Sequence, residues 1–379
     1  MTLRRIAVLG GGPAGLYFAY LWKRRHPESE VEVFEQNPAG ATFGFGVVFS
    51  DRALDFLRAD DPETADLIQP RMEAWRDITL VHRGERIAID GVGFSAIGRL
   101  EFLALLQERA RSVGVEPRYG VPVRSVDELQ GFDLVVAADG VNSLLRRAFE
   151  GDFKTSLSWL DNKFVWYGTT KRFETLSQTF VATTLGTFNA HHYRYAPAMS
   201  TFIVECDRAT WLKAGFAEKG PDETKAICEE VFAEALDGHP LISNKSAWRN
   251  FPWIWNERWS DRNMVLVGDA LRTAHFSIGS GTRLALEDAI ALDKALDAAP
   301  DLRSGLLRYE AARRPVVEKL VAASKASAAW YERFAWHMRL DPLDFAMSYV
   351  TRSGRVDPER LRAMSPRFMA AYDAGRAPA

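Results

Sequence analysis

The hydrophobic pattern changes period several times along the chain. Arg5–Leu9 is a short apolar run that ends in glycines. Leu16–Trp22 then repeats apolar residues at helical spacing, and Val31–Glu35 alternates as a half-buried strand does. Strand, glycine turn, helix and strand together predict a βαβ unit. The spacing also predicts a helix over Leu100–Arg111. The continuous apolar stretches Phe132–Ala137 and Met264–Val267 read as strands buried on both faces. A long helix is expected near Thr282–Ala298. The middle of the chain differs. Phe164–Thr170, Gln178–Thr184, His192–Tyr195 and Ser200–Glu205 are short β-rich segments separated by turn signals, which predict a mixed or antiparallel sheet beside the parallel one. Trp248–Trp259 is crowded with aromatic rings, and from about Ser304 helical patterning dominates.

Composition narrows the function classes. Over 379 residues, 48 Lys and Arg stand against 50 Asp and Glu, so the net charge is −2. That balance lacks the basic excess of a nucleic-acid binder. The apolar share of 47% and charged share of 26% are those of a folded chain. No apolar run approaches the roughly 20 residues a spanning helix needs, so no membrane partner is expected. The N-terminus has no signal-peptide layout. Two cysteines, Cys206 and Cys228, can build neither a disulfide framework nor a multi-cysteine metal site. Reduced thiols in a cytoplasmic protein are the expectation, with no metal, since His191 and His192 are adjacent rather than four apart on a helix.

Three strings carry chemistry. Gly10-Gly11-Gly12-Pro13-Ala14-Gly15 satisfies G-x-G-x-x-G between the first strand and helix. Gly10 permits the tight turn, Gly12 lets the backbone approach a pyrophosphate, and Gly15 lets the helix pack on the strand. The helix start would then face the phosphates. Glu35 ends the second strand, where its carboxylate can accept from both ribose hydroxyls and would repel a 2′-phosphate; Gln36 follows it. The second string, Asp139-Gly140-Val141-Asn142-Ser143-Leu144-Leu145-Arg146, follows a buried strand. The third, Gly268-Asp269-Ala270, follows another and leads into Gly279-Ser280-Gly281-Thr282. Each places a polar residue at the carboxyl edge of a sheet, where open α/β sheets bind ligands. An Asp-Gly after a strand can also be only a turn.

In this order and spacing the three strings resemble the class A flavoprotein aromatic hydroxylases, the p-hydroxybenzoate hydroxylase fold group, over essentially the whole chain. The resemblance implies an α/β fold: a Rossmann-like FAD-binding domain (1–75, 95–155 and 260–300) interleaved with a β-sheet substrate domain (76–94 and 156–259), then C-terminal helices (301–379). It implies that Gly10, Gly12, Pro13, Ala14, Gly15, Glu35, Gln36, Arg99, Asp139, Asp269, Gly279, Gly281 and Thr282 hold tightly bound, non-covalent FAD. NADH and O2 would be transient co-substrates, with oxygen transferred through a flavin hydroperoxide. FGFGVVFSD (43–51), STFIVEC (200–206), WRNFP (248–252) and HFSIGSGTRLALEDAIAL (275–292) are similar to a subgroup. It holds the salicylyl-CoA 5-hydroxylases, the hydroxylase half of 2-aminobenzoyl-CoA monooxygenase/reductase and the violacein-pathway tryptophan hydroxylase.

That likeness implies an aromatic CoA thioester as small-molecule partner, most simply salicylyl-CoA hydroxylated to gentisyl-CoA, by a monomer or homodimer. In 379 residues the fused reductase is not expected, which favours simple hydroxylation. Hydroxylation of a free or indolic aromatic, or a flavin reductase on the same fold, is the alternative. A phenolic ring would want a base titrating near neutrality. The candidates are His275, beside the flavin-edge glycines, and His191 or His192. Phe43, Phe45, Trp166, Tyr195 and Phe276 are candidates for packing the ring. The sequence departs from the family at Arg272, Phe276 and Arg283, where histidine, proline and asparagine are common. Arg272 and Arg283 would then meet acidic substrate or nicotinamide phosphates, or be solvated.

Overall fold

The apolar runs of Arg5–Leu9, Leu134–Ala137 and Met264–Leu266 lie side by side as parallel strands, although more than a hundred residues separate each from the next. They form the middle of a six-stranded sheet in a computed structural model that describes residues 3–42, 44–50 and 54–375. Glu30–Glu35 and Arg118–Tyr119 extend the parallel sheet on one side, and Ser260–Asp261 closes the other as an antiparallel edge. Ile6, Ala7, Val8, Leu134 and Val136 have almost no exposed surface. Full burial of each large apolar side chain contributes about 1.5–3 kcal/mol. One face is covered by the helices Pro13–Arg25 and Gly281–Asp297, which pack against each other.

A second sheet accounts for the β-rich middle. Its order is Leu241–Ser243, Thr155–Thr169, Met199–Cys206, Gly186–Ala196, Leu176–Thr183, Ile78–His82 and Glu85–Ile89, with Arg249–Asn256 also paired to Thr155–Thr169. Neighbours are antiparallel except Leu176–Thr183 with Ile78–His82. The aromatic stretch Trp248–Trp259 is thus mostly strand. A three-stranded antiparallel sheet, Gly46–Ser50, Phe94–Gly98 and Glu73–Trp75, has no counterpart in the sequence expectations.

The large sheet has two differently covered faces. On one, Phe180, Trp330, Phe345 and Tyr349 join the sheet to the C-terminal helices. On the other, Phe188, Phe202, Cys206 and Phe232 pack beneath the helices of residues 208–236. Both cysteines are free and buried. Among the described residues no helix is long and apolar enough to cross a membrane, and no His, Cys, Asp and Glu group is arranged to hold a metal.

Candidate active site

The glycine turn is shaped for a ligand and for the fold at different positions. Gly10 has a left-handed φ of +100°, and a Cβ there would lie 2.4 Å from the Ala138 carbonyl oxygen. A Cβ on Gly15 would lie 2.1 Å from the Gly10 oxygen, so that glycine is required by helix-to-strand contact. A Cβ on Gly12 would meet nothing within 4 Å. That emptiness lies at the start of the helix Pro13–Arg25, whose first position is proline and whose first N–H groups have no side-chain cap. Free N–H groups at a helix start suit a phosphate. Pro13 and Ala14 form this first turn. Glu35 stands beside it: one oxygen accepts from the Gly11 N–H at 2.8 Å, the other from the Asn37 backbone and side-chain N–H groups at 2.8 and 2.7 Å. Gln36 is exposed just past it.

The Asp139 string closes its own turn and leaves one atom over. One carboxylate oxygen accepts from the Leu144 N–H at 2.7 Å; the other is buried without a partner. Burial raises this carboxyl above the usual range. Arg146 explains the end of the string. Its guanidinium donates to the Gly140 and Val141 carbonyls and, at 3.1 Å, to the Ala270 carbonyl, so it clamps the second string to the third. Asp269 is accessible from a cavity yet ringed by protein, and desolvation raises its carboxyl although Arg272 and Arg99 pull it back. Arg99 opens the helix Arg99–Ser112 and gives its Nε–H to Thr42 at 3.0 Å. Burial lowers its pKa, and no ion pair engages it among the described residues.

Asp269, Arg99, Gly279, Gly281 and Thr282 all line one cavity of about 1080 Å³. Gly279 is left-handed at φ +57°, and Gly281 opens the helix Gly281–Asp297 with nothing within 4 Å of where its Cβ would be. The open cradle at Gly12, the orphaned Asp139 oxygen and the bare backbone at Gly281 fit an extended dinucleotide cofactor that runs from the glycine turn into this cavity.

The far wall of the cavity is the large sheet. Phe164 and Trp166 from one strand line it with Gln178, His191 and Phe251 from others, and Phe276 packs on them from outside the sheet. Phe276 sits 5.0 Å from Phe164 and 5.3 Å from His191, centroid to centroid. Two of the expected ring-packing residues do not reach it. Phe45 lies against Gly168, where a Cβ would come within 2.5 Å of its ring, and Tyr195 packs over Gly46 and Gly98. Both pack beside the cavity without lining it. Phe43 lies outside the described residues.

The histidines are corrected most. Successive strand residues point to opposite faces, so His191 and His192 cannot serve one site. His192 turns to the other face, bonds Thr179 Oγ1 at 2.8 Å and lies between Phe173 and Phe202. His191 meets the cavity, but its nitrogens are turned inward. Gln178 Nε2 donates to its Nδ1 at 2.8 Å, which leaves the hydrogen on Nε2, 3.7 Å from a Glu205 oxygen. His275 is buried against Phe251 and Phe276, with Nδ1 2.8 Å from Ser277 Oγ. Burial lowers His191 and His192 to about 3 and His275 to about 4. None titrates near neutrality, because a charged imidazole there would lose its hydration.

Glu205 was not foreseen. It is buried beside His191, accepts from Asn162 Nδ2 at 2.8 Å, and burial raises its carboxyl. Its one sequence signal is a charge inside the apolar strand string STFIVEC. Arg272 is neither solvated nor at the cavity. It is buried, paired to Asp288 at 2.7 Å, and Asp288 also holds Arg313 at 3.1 Å and the Gly268 N–H at 3.1 Å. The pair braces the Asp269 turn from behind.

Comparison with known proteins agrees with this geometry. A family model described as FAD binding domain matches residues 95–324. The chain is 42% identical over 360 residues to a salicyloyl-CoA 5-hydroxylase of a Streptomyces species, covering 92% of this chain and 70% of that one. It is 38% identical over 330 residues to the 3-hydroxy-4-methyl-anthranilyl-[aryl-carrier protein] 5-monooxygenase of Streptosporangium sibiricum, covering 87% and 89%. Among solved structures, the tetrameric form of 2-methyl-3-hydroxypyridine-5-carboxylic acid oxygenase superposes with a TM-score of 0.72 at 17% identity, over 96% of each chain, which shows the fold. With a glycine cradle, a braced aspartate turn and relatives named as an aromatic hydroxylase and an aromatic monooxygenase, the chain belongs to the FAD-dependent aromatic monooxygenases of the FAD-binding-domain family.

Proposed function

We propose that this chain hydroxylates an aromatic ring presented as a coenzyme A thioester, salicylyl-CoA being the first candidate and its 5-hydroxy derivative the product, with NADH and O2 as co-substrates. The observation that carries the reading is the form of the cavity. One wall is the Asp269 and Gly279–Thr282 backbone, the opposite wall is aromatic, and the space opens outward past the C-terminal helices. Kinship supports the thioester, since the Streptomyces relative is named for a ring on CoA and the Streptosporangium relative for a ring on an aryl-carrier protein.

Bound FAD would supply the redox chemistry, accepting hydride and activating oxygen. Gly10, Gly12, Gly15, Glu35, Asp139 and Asp269 are the residues that would hold it. The chain's own part is orientation and exclusion of water. Phe164, Phe251 and Phe276 make an apolar shell in which a reactive oxygen species is shielded. His191 stays neutral, with its proton on Nε2 and its Nδ1 taken by Gln178, so neither nitrogen is free to strip the phenol. The ring hydroxyl para to the reacting carbon is itself the activating group. Gln178 lines the cavity between His191 and the Tyr331 hydroxyl, which donates to its Oε1 at 3.2 Å. It fixes the polar edge against which the ring is set.

The test is NADH oxidation by the purified yellow protein in air, with salicylyl-CoA or free salicylate at equal concentration and products identified by mass spectrometry. Fast oxidation and a thioester one oxygen heavier, with the CoA compound alone, are expected. Stimulation by neither compound would remove salicylyl-CoA as substrate.

A further inference from the structure

Among the described residues the cavity is lined by five arginines, Arg99, Arg283, Arg352, Arg355 and Arg360, and by two carboxylates, Asp55 and Asp269. Two of the arginines have structural partners. Arg99 lies deep, beside Asp269. Arg352 gives its hydrogens to Ser327 Oγ and to the carbonyls of Ser277 and Tyr349, with its guanidinium 3.9 Å from the Tyr349 ring centre. The other three stand at the mouth on two facing elements. Arg283 is in the first turn of Gly281–Asp297. Arg355 lies between the helices Pro342–Thr351 and Pro358–Met364, and Arg360 lies on the second of these.

Their charge is poorly compensated. Arg283 bonds Glu287 at 2.7 Å, but that carboxylate is shared with Arg313 at 2.9 Å. Arg355 and Arg360 are exposed, and among the described residues neither has a carboxylate within ion-pair distance. Arg360 Nη1 donates instead to the Arg355 carbonyl at 3.2 Å. Of the nearby acids, Asp357 accepts the Arg360 backbone N–H at 2.7 Å and caps its helix, and Asp55 begins the short helix Asp55–Asp60. Burial lowers the Arg355 pKa first, and the Arg283 and Arg360 guanidiniums lower it further. Like charges held together this way are relieved by a bound anion. The planar guanidinium fork matches the oxygens of a phosphate.

We propose that Arg283, Arg355 and Arg360 form a phosphate site at the cavity mouth, which holds the nucleotide end of a ligand whose other end lies among the rings inside. With the thioester reading above, on which this assignment of the ligand rests, the phosphates are those of the coenzyme A arm. NADH offers the same chemistry and is the other source.

The experiment compares the parent holoenzyme with Arg355→Ala/Arg360→Ala and with the charge-retaining Arg355→Lys/Arg360→Lys. Three quantities are measured: the KM for salicylyl-CoA, the KM for the N-acetylcysteamine thioester of salicylate, which has no phosphate, and the KM for NADH. Calorimetric titration with coenzyme A alone gives a readout free of turnover. The alanine variant is expected to raise the salicylyl-CoA KM and the coenzyme A Kd at least tenfold, with the short thioester and NADH within twofold and the lysine variant in between. A rise confined to the NADH KM would uphold the phosphate site with the nicotinamide nucleotide as its ligand. Values within twofold for coenzyme A and NADH alike would overturn it. Should the parent turn over neither thioester, the substrate reading fails by itself, and the coenzyme A titration and NADH KM still decide the phosphate site.

Discussion

The cofactor cradle and the ring wall of the cavity are built by different means. The glycine turn and the two aspartate turns are made by backbone, and the fit is decided by which positions have no side chain. The ring end is made by side chains: Trp166 and His191 from separate strands, Phe251 from another, Phe276 from a single 3-10 turn and Arg352 from beyond a helix. A backbone cradle tolerates one residue type at a given place, so it leaves a short, fixed string in the sequence. A ring-lined wall asks only for bulk and can be assembled from any segment that arrives.

The largest test of this contrast lies within the glycine turn itself. Gly15→Ala would set a Cβ 2.1 Å from the Gly10 oxygen and 3.1 Å from Val8 Cγ1. It should lose bound flavin together with about 3 kcal/mol or more of stability, an overpacking that backbone atoms cannot relieve. Gly12 has φ −82°, which any residue adopts, and open space at its Cβ. Gly12→Ala should therefore purify with most of its yellow colour gone, as a methyl intrudes on the phosphate path, yet melt within about 3 °C of the parent when both are compared stripped of flavin. The ratio of flavin to protein absorbance and a thermal melt separate the two. A fully yellow Gly12→Ala protein would show that no ligand backbone approaches there.

Next in size is the brace behind Asp269. Asp288→Asn would leave Arg272 and Arg313 buried without their shared carboxylate and should cost about 3–5 kcal/mol in urea unfolding. A loss below about 1 kcal/mol would mean that water already reaches these guanidiniums. This brace marks one limit of legibility. Arg272 stands out in the sequence only as a departure from the family string, and its partner, sixteen residues on, is one helical carboxylate among several. The parallel strands, the glycine turn and the Asp139 and Asp269 turns were readable, because apolar continuity and obligatory glycines are local properties. The small sheet around Gly46–Ser50 was not, since its strands are short and pair across long loops. Nor did the sequence separate Phe45 and Tyr195 from the lining residues: an aromatic residue has the same letter whether it lines a cavity or packs beside it.

The three buried imidazoles give a smaller, pH-dependent effect. In the unfolded chain they take up protons below about pH 6.5. In the fold they stay neutral to about 3 for His191 and His192 and about 4 for His275. The unfolded state thus binds more protons below pH 6.5. Stability should fall as pH drops from there, by roughly 1 kcal/mol per pH unit for each imidazole. Glu205, whose carboxyl is raised, works in the opposite sense. Unfolding of His191→Asn, His192→Asn and the parent at pH 7 and 5.5 isolates each imidazole's share. An identical pH slope in all three proteins would refute the neutral assignment.

The same two variants carry the finest test, since adjacent residues of one strand face opposite sides of one sheet. His191 receives a hydrogen bond from Gln178 and forms part of the ring wall, 5.0 Å from the Tyr331 ring, so its loss frees the polar edge that sets the substrate ring. His191→Asn is expected to lower kcat about three- to tenfold and to waste NADH as peroxide, because a loosely held ring meets the oxygen less often. His192 is closed in by Phe173 and Phe202 on the other face. His192→Asn should leave kcat and coupling within twofold while lowering the melting temperature by a few degrees. Coupling is measured as hydroxylated product per NADH consumed, across pH 5.5 to 8, and neither profile should show a limb near 6.5. If both variants uncoupled equally, the sheet would be transmitting strain from one face to the other. The division of roles between neighbouring histidines would then fail, even though their side chains point apart.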